Sequence, residues 1–463
     1  MTLFNRILMI SLLLLIFFHP FRAQENETPT TAEEIAAFVD SAAYMLIDKY
    51  VFEDVGRRVA TFIQQRHSAG AYTNITDAEE FTRMMTTDMQ SVSNDKHMRV
   101  RLRRGSEGVP SGANPLMILF EQKERRQQEN YGFQHVEIFE NNIGYVDFRY
   151  FAPPDNAAEK VEAAMNFLNY SDAIIFDMRQ NGGGDPRLIQ LICSYLFAEK
   201  VHLNSLYWRD GNRTVEFWTL DKINGKRMPD VPVFVLTSNY TFSGAEEFTN
   251  NLKTRQRATI IGETTGGGAN PGGVFPVTKH FNIFIPTGRA INPVTGTNWE
   301  GTGVEPDIKI PADQALDVAK KRAATAAEEY RIKRREAAQK LITEIFKATE
   351  KAEKLVSAKK EREAEDLINP LFEKAITRGI LDESAINVLG YDFLGRDKTG
   401  CAILIFRYNV SAYPDAFNTY DSLGEAYMKA GQTERAKANY KKSLELNPQN
   451  ENAKRMLEKL NYK

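Results

Sequence analysis

Cysteine is nearly absent. The 463 residues hold two, Cys193 and Cys401, in segments of different character, so no disulfide framework is implied and stability has to come from apolar burial. An excess of one charge is absent too. The 59 Lys and Arg against 61 Asp and Glu leave a net charge of -2, which gives nucleic acid no basic face, and a 42% apolar content excludes a disordered chain. Histidine is scarce, with six copies. Long apolar runs are missing except at the start, where MTLFNRILMISLLLLIFFHPFRAQ sets Arg6 before an apolar stretch, a His19-Pro20 break and Ala23. That pattern reads as a secretory signal over residues 1–23. The stretch is shorter than the roughly 18 residues a spanning helix wants. The expectation is therefore cleavage, with an exported, periplasmic or secreted product and no membrane span; a retained anchor is the alternative.

The length calls for two or three domains. Residues 24–95 read as helical: TAEEIAAFVDSAAYMLIDKYVF and ITDAEEFTRMMTTDMQSV place apolar residues at helical spacing, the second behind a Thr76-Asp77-Ala78-Glu79 cap signal. Over residues 96–311 the pattern changes. IGYVDFRYF, DAIIFDMR, VPVFVLTS and ATIIGET have the composition of buried strands, and helical segments alternate with them. This is an α/β signature with a largely parallel sheet, whose chemistry collects at the carboxyl ends of the strands.

Two loops sit at such ends. DMRQNGGGDP carries Gly182, Gly183 and Gly184, whose unshielded amides can approach a developing negative charge; a plain turn or a phosphate cradle would use the same residues. TSNYTFSGAEEF carries Ser243. With Glu246 it forms a capping box, so helix capping accounts for it locally. Gly244 adds an unshielded amide beside the hydroxyl at a helix start, the arrangement hydrolases use for a nucleophile. A base is then required. His19 belongs to the signal, and His67, His135, His202 and His280 carry no second signal, leaving His97 in SNDKHMRV, which by itself is equally a structural residue. Glu300, in TNWEGTGVEPDI, is a carboxylate in a glycine-flanked loop, a candidate orienting acid or an ordinary turn acid.

Taken in order, DMRQNGGG, TSNYTFSGAEEF, IGETTGGGANPGG and NWEGTGVEPDI resemble the tail-specific or C-terminal processing serine proteases, on the branch with the tricorn core protease and the interphotoreceptor retinoid-binding protein modules. The resemblance covers about residues 95–311. It implies a ClpP/crotonase-like α/β protease core, with Ser243 as nucleophile, His97 as base, Glu300 as orienting acid, and Gly244 with Gly182 or Gly183 as the oxyanion hole. It implies no metal and no cofactor, and a peptide or protein substrate. Three departures stand out: Gly268 where the processing branch has its lysine base, Lys96 where the tricorn-like branch has a serine linking histidine to acid, and Asn270 where many relatives have histidine. The stretch of about 45 residues from His97 to Ile143 leaves no room for a peptide-binding PDZ module. The retinoid-binding relatives keep a second expectation open, a hydrophobic-ligand protein without proteolysis.

Residues 312–378 are rich in Ala, Glu, Lys and Arg and read as a solvated helical spacer. In residues 379–463, Leu389-Gly390 recurs as Leu423-Gly424, Ala402 as Ala436, Phe406 as Tyr440 and Pro414 as Pro448. That period of 34 is the tetratricopeptide repeat, an all-α domain for docking a substrate or protein partner, or a scaffold in its own right.

Overall fold

The computed structural model describes residues 30–103 and 115–461; the signal segment lies outside them. The chain divides into two units, Met1–Ala327 and Glu328–Lys463.

The first unit starts with three helices, α1 (Ala32–Lys49), α2 (Glu53–Ser68) and α3 (Ala78–Ser93). Thr31 caps α1 by accepting Glu34 N–H, and Asp77 caps α3 by accepting the N–H groups of Glu79 and Glu80. The middle helix, which the sequence reading passed over, buries only Gly56, Val59, Ala60 and Ile63. That one-residue-wide stripe lies among charges.

Next come β1 (Arg99–Leu102), α4 (Pro115–Gln128), β2 (Phe133–Phe139), β3 (Ile143–Phe148), α5 (Pro154–Phe167), β4 (Ala173–Asp177) and α6 (Pro186–Leu196). The hairpin β5 (His202–Trp208) and β6 (Arg213–Trp218) leads to β7 (Val233–Thr237), α7 (Gly244–Thr254) and β8 (Ala258–Gly262). Four short strands follow, β9 (Gly272–Pro276), β10 (Phe281–Pro286), β11 (Gly288–Ile291) and β12 (Ile308–Lys309), and then the long helix α8 (Ala315–Ser357).

Six strands form the main sheet in the order β12-β8-β7-β4-β3-β2, parallel except for β2 at the edge. All residues of β3, β4 and β7 are buried, as expected of a parallel sheet covered on both faces. One cover is α8. Ala315, Ala319, Ala323 and Ala327, each fully buried, lie against Ile175, Phe234, Leu236 and Ile261. Alanine at every fourth position lets the helix axis approach the sheet closely, so the expected solvated spacer begins instead as part of the α/β core. The helical segment is likewise not closed on itself: Phe38, Phe81 and Met85 pack with Met98 and with Phe281, Ile283 and Ile285 of β10. His97 sits at that seam.

The second unit carries the rest of α8 with α9 (Glu361–Thr377), α10 (Glu383–Gly395), α11 (Thr399–Ala412), α12 (Phe417–Lys429), α13 (Thr433–Leu446) and α14 (Glu451–Asn461). The repeat is visible in its packing. A Cβ at Gly390 would stand 2.4 Å from Phe406, and one at Gly424 would stand 3.0 Å from Tyr440, so each glycine makes room for the ring of its helix partner. Leu341, Ile345, Ile368 and Phe372 join Phe393 and Phe406 in one core, so the repeats and the helices before them stabilise each other.

One glycine closes the carboxyl edge of the sheet. Gly262 ends β8 opposite Thr237 with φ +135°, and a Cβ there would lie 2.1 Å from the Thr237 carbonyl oxygen. Gly262→Ala is expected to lower stability by about 2–4 kcal/mol, since it adds both backbone strain and a backbone clash. Denaturant unfolding followed by tryptophan fluorescence reads the loss; an unchanged midpoint would show that the strand ends have room to part.

Candidate active site

The loop from β7 to α7 delivers Ser243 at the carboxyl edge of the sheet. Ser243 has φ 55° and ψ -119°, a region that L-residues avoid, directly before the first turn of α7. Neighbouring hydrogen bonds hold it there: the Thr241 hydroxyl donates to Met178 O at 2.8 Å, the Ser238 hydroxyl to Arg179 O at 2.6 Å, and Phe242 N–H to Asn181 O at 3.2 Å. These bonds tie the serine loop to the glycine loop. A Cβ at Gly183 would lie 2.8 Å from Ser243 Cβ, so only glycine allows the two loops to close. The capping box is present on the Glu246 side, where Oε2 accepts Ser243 N–H at 2.8 Å. The helix amides that a capping hydroxyl would serve, those of Ala245 and Glu246, donate to the Phe242 and Ser243 carbonyls.

The three expected oxyanion amides differ. Gly182 N–H donates to Arg149 O at 3.1 Å, and Gly183 N–H to Asn181 Oδ1 at 2.9 Å. Both are occupied. Among the described hydrogen bonds the amides of Gly184 and Gly244 have no acceptor, and a Cβ at Gly244 would lie 2.8 Å from Gly184 N. Of Gly182, Gly183 and Gly184, the last is the one whose unpaired amide lies beside that of Gly244.

Glu246 also reaches the loop after β8. It accepts Gly267 N–H at 2.7 Å, Gly268 N–H at 2.8 Å and the Thr265 hydroxyl at 2.5 Å. Glu300 Oε2 takes the next two amides, Ala269 at 2.6 Å and Asn270 at 2.9 Å, while the Trp299 indole donates to Gly268 O at 2.9 Å.

His97 lies against this loop. It is 5% exposed, its ring centroid 4.6 Å from that of Phe242 and 5.8 Å from that of Phe284. Asp95 Oδ1 accepts the His97 backbone N–H at 3.0 Å, and Asp95 Oδ2 accepts the Tyr50 hydroxyl and the Asn270 amide. His97 Nδ1 stands 4.0 Å from Asp95 Oδ1 without a hydrogen bond, and Glu300 Oε1 is likewise buried and unpartnered. One ligand atom from each of Asp95, His97 and Glu300 lies within 4.8 Å of the others, the one trio among the described residues that a cation could share.

The structure therefore brings His97 and Glu300 together and sets the glycines around Ser243, but no hydrogen bond joins Ser243 to His97 among the described residues. Lys96 Nζ donates to Gly266 O at 2.6 Å and makes no bridge between histidine and acid. Asp95, Tyr50 and Phe242 escaped the sequence reading of the site, and Asn270 entered it only as a departure from the family pattern. The Asp-x-His spacing was the one local signal for Asp95.

Burial dominates the electrostatics. It pushes the His97 imidazole down to about 3, with Arg99 adding to the shift. Burial and then the Asp95 charge push Glu300 up to about 8, and burial raises Asp95 and Glu246 as well.

Residues 142–310 match the family model of peptidase family S41. The chain carries a peptidase family S41 domain. Residues 24–139 match the N-terminal domain of Peptidase_S41 in eukaryotic IRBP, and residues 417–450 match a tetratricopeptide repeat. A carboxyl-terminal-processing protease from Synechocystis is 30% identical over 128 residues, covering 27% of this chain and 28% of that protein. The chain thus spans well under two thirds of that relative's length. Among solved structures, a putative peptidase from Parabacteroides merdae is 17% identical with TM-score 0.44, over 64% of this chain and 97% of that one. The photosystem II D1 C-terminal processing protease is 15% identical with TM-score 0.38, over 61% and 94%.

The buried Glu300 carboxyl has a thermodynamic signature. A carboxyl raised from 4.5 to about 8 binds its proton more tightly in the folded state, so its contribution to stability is full below 4.5 and is lost as pH rises to 8. The depressed His97 acts oppositely, adding stability as pH rises from about 3 to 6.5 and nothing beyond. Between pH 6.5 and 8 only the Glu300 effect of these two remains. Tm is expected to fall across that window in the wild type and to fall less in Glu300→Gln; parallel curves would refute a protonated Glu300.

Proposed function

We propose that this chain is an exported serine peptidase that cleaves peptide bonds through a Ser243 acyl-enzyme, with His97 as base and Glu300 as orienting acid. The observation that carries the reading is at Gly268. A Cβ there would lie 2.7 Å from His97 Cε1 and 2.2 Å from Phe242 Cζ. The imidazole thus lies against the space that a side chain at 268 would enter, where the processing branch carries its lysine, so the base changes its residue while keeping its place.

In this mechanism Ser243 Oγ attacks the substrate carbonyl carbon and passes its proton to His97. The oxyanion takes the free N–H groups of Gly244 and Gly184 at the start of α7, where the helix dipole adds to the stabilisation. His97 then protonates the leaving amine, and water hydrolyses the ester by the reverse sequence. Glu300 Oε1 and His97 Nδ1, both unpartnered, meet as the imidazole charges, while Asp95 holds the histidine backbone. Phe242 lies against the imidazole in the unliganded site, so substrate binding has to draw Ser243 and His97 into hydrogen-bond reach, a tightening common in Michaelis complexes.

Export rests on the N-terminal sequence alone; no helix among the described residues is long and apolar enough to cross a membrane. The repeats, in this reading, dock the substrate protein or a partner and raise its local concentration.

Ser243→Ala is expected to abolish hydrolysis while changing stability by no more than about 0.5–2 kcal/mol. Because burial depresses His97, the acid limb of kcat/KM in the wild type is expected below pH 6.5, the ordinary histidine value. Turnover of a peptide substrate by Ser243→Ala at the wild-type rate would end this assignment, and an acid limb above 6.5 would contradict the buried base.

A further inference from the structure

The glycines that approach Ser243 also line an open cleft of about 690 Å³, together with Arg149, Tyr150, Gln180 and Tyr240. Arg149 is the one charged side chain in that lining. Its backbone is fixed on both sides: its N–H donates to Gly132 O at 2.8 Å and its carbonyl accepts Gly182 N–H at 3.1 Å. The chain register therefore holds the guanidinium beside the glycine loop.

The guanidinium is under-used. One nitrogen donates to Asp147 Oδ2 at 3.0 Å, the side chain remains 38% exposed, and among the described residues its other N–H groups have no acceptor. The other charges nearby are committed. Arg179 forks onto Asp177 and donates to Ala312 O, and the Tyr150 hydroxyl donates to Glu129. Tyr150 and the 58%-exposed Tyr240 leave aromatic surface at the cleft to flank an extended chain.

We propose that Arg149 binds a carboxylate side chain of the peptide lying in this cleft, so that the site selects substrates with an Asp or Glu close to the scissile bond. The planar N–H fork of arginine matches a carboxylate in two parallel hydrogen bonds, which an uncharged amide of the same shape cannot reproduce. The inference deepens the reading of Ser243 as the attacking group and rests on it for the direction of the chain toward chemistry. Because Gly183 touches the serine loop and lines the cleft, the anion site adjoins the reacting carbonyl. Arg149 is on this account a specificity residue and takes no part in bond cleavage.

The test is equilibrium binding to full-length Ser243→Ala, where nothing is turned over. Fluorescence anisotropy is read with a dansylated hexa-alanine peptide as free acid and as C-terminal amide, and with amide peptides carrying Asp or Asn at each position in turn. An Asp peptide is expected to bind roughly ten- to a hundredfold more tightly than its Asn twin, the range of a charge-assisted hydrogen bond. Adding Arg149→Gln should erase that difference while leaving Kd for the neutral peptides unchanged, and Arg149→Lys should keep part of it. A preference that follows Asp identifies the side chain as the ligand; one confined to the free acid would overturn the proposal. Asp147→Asn, which removes the competing carboxylate, should tighten acid peptides further and serves if Arg149→Gln does not fold. Equal binding of acid and neutral twins, a preference surviving Arg149→Gln, or weaker acid binding in Asp147→Asn would each overturn the proposal. Loss of hydrolysis chemistry would not alter these readings, so the two accounts fail separately.

Discussion

Glu246 and Glu300 between them accept the N–H groups of residues 267, 268, 269 and 270, and the site is built on that double grip. Successive amides can face one carboxylate after another only where the backbone turns sharply, and Gly267 supplies the turn at φ +82°. Glu246 also takes Ser243 N–H, and Glu300 lies in the trio with His97 and Asp95. The serine, the glycine loop and the histidine seam are therefore tied through buried hydrogen bonds rather than by apolar packing alone. Either carboxyl group without these donors would be a buried polar group lacking partners.

The same burial sets the chemistry. A histidine pushed well below its ordinary range is neutral and ready to accept a proton, but a charged imidazole is unwelcome there until a carboxylate aligns with it. The carboxylates beside it are raised for the same reason, so burial works against charge throughout the cluster. Substrate would shift that balance by bringing Ser243 and His97 together past the Phe242 ring. The second unit has its own stabilising logic, a ring-on-glycine contact repeated after 34 residues, and it owes nothing to the active-site electrostatics.

Much of this was legible in the chain because local pattern carried it. The α/β alternation, the capped helices and the repeat period all follow from short stretches, whereas Ser243, His97 and Glu300 were local candidates that only the resemblance joined into one site. What escaped depends on distant partners. Asn270 meets Asp95 across 175 residues, and Lys96 meets Gly266 across 170, pairings no periodicity encodes. Glu246 was readable as half of a capping box, yet its hold on residues 267 and 268 was not. Which of Gly182, Gly183 and Gly184 keeps an unpaired amide beside Gly244 turns on which amide already has an acceptor, a property of the folded loop. The alanines of α8 read as part of a solvated helix because Ala, Lys and Glu favour helix equally in water and against a sheet.

The central claim is that Ser243 is activated by His97 within a frame held by Glu246. It is tested most directly by the rate at which a fluorophosphonate forms a covalent adduct on the intact chain, followed by mass spectrometry and mapped to its residue. The account predicts one adduct, on Ser243, forming about a hundredfold or more slowly in both His97→Ala and Glu246→Ala, the scale of a lost general base. An adduct on another residue, or labelling of Ser243 at an unchanged rate in His97→Ala, would contradict it.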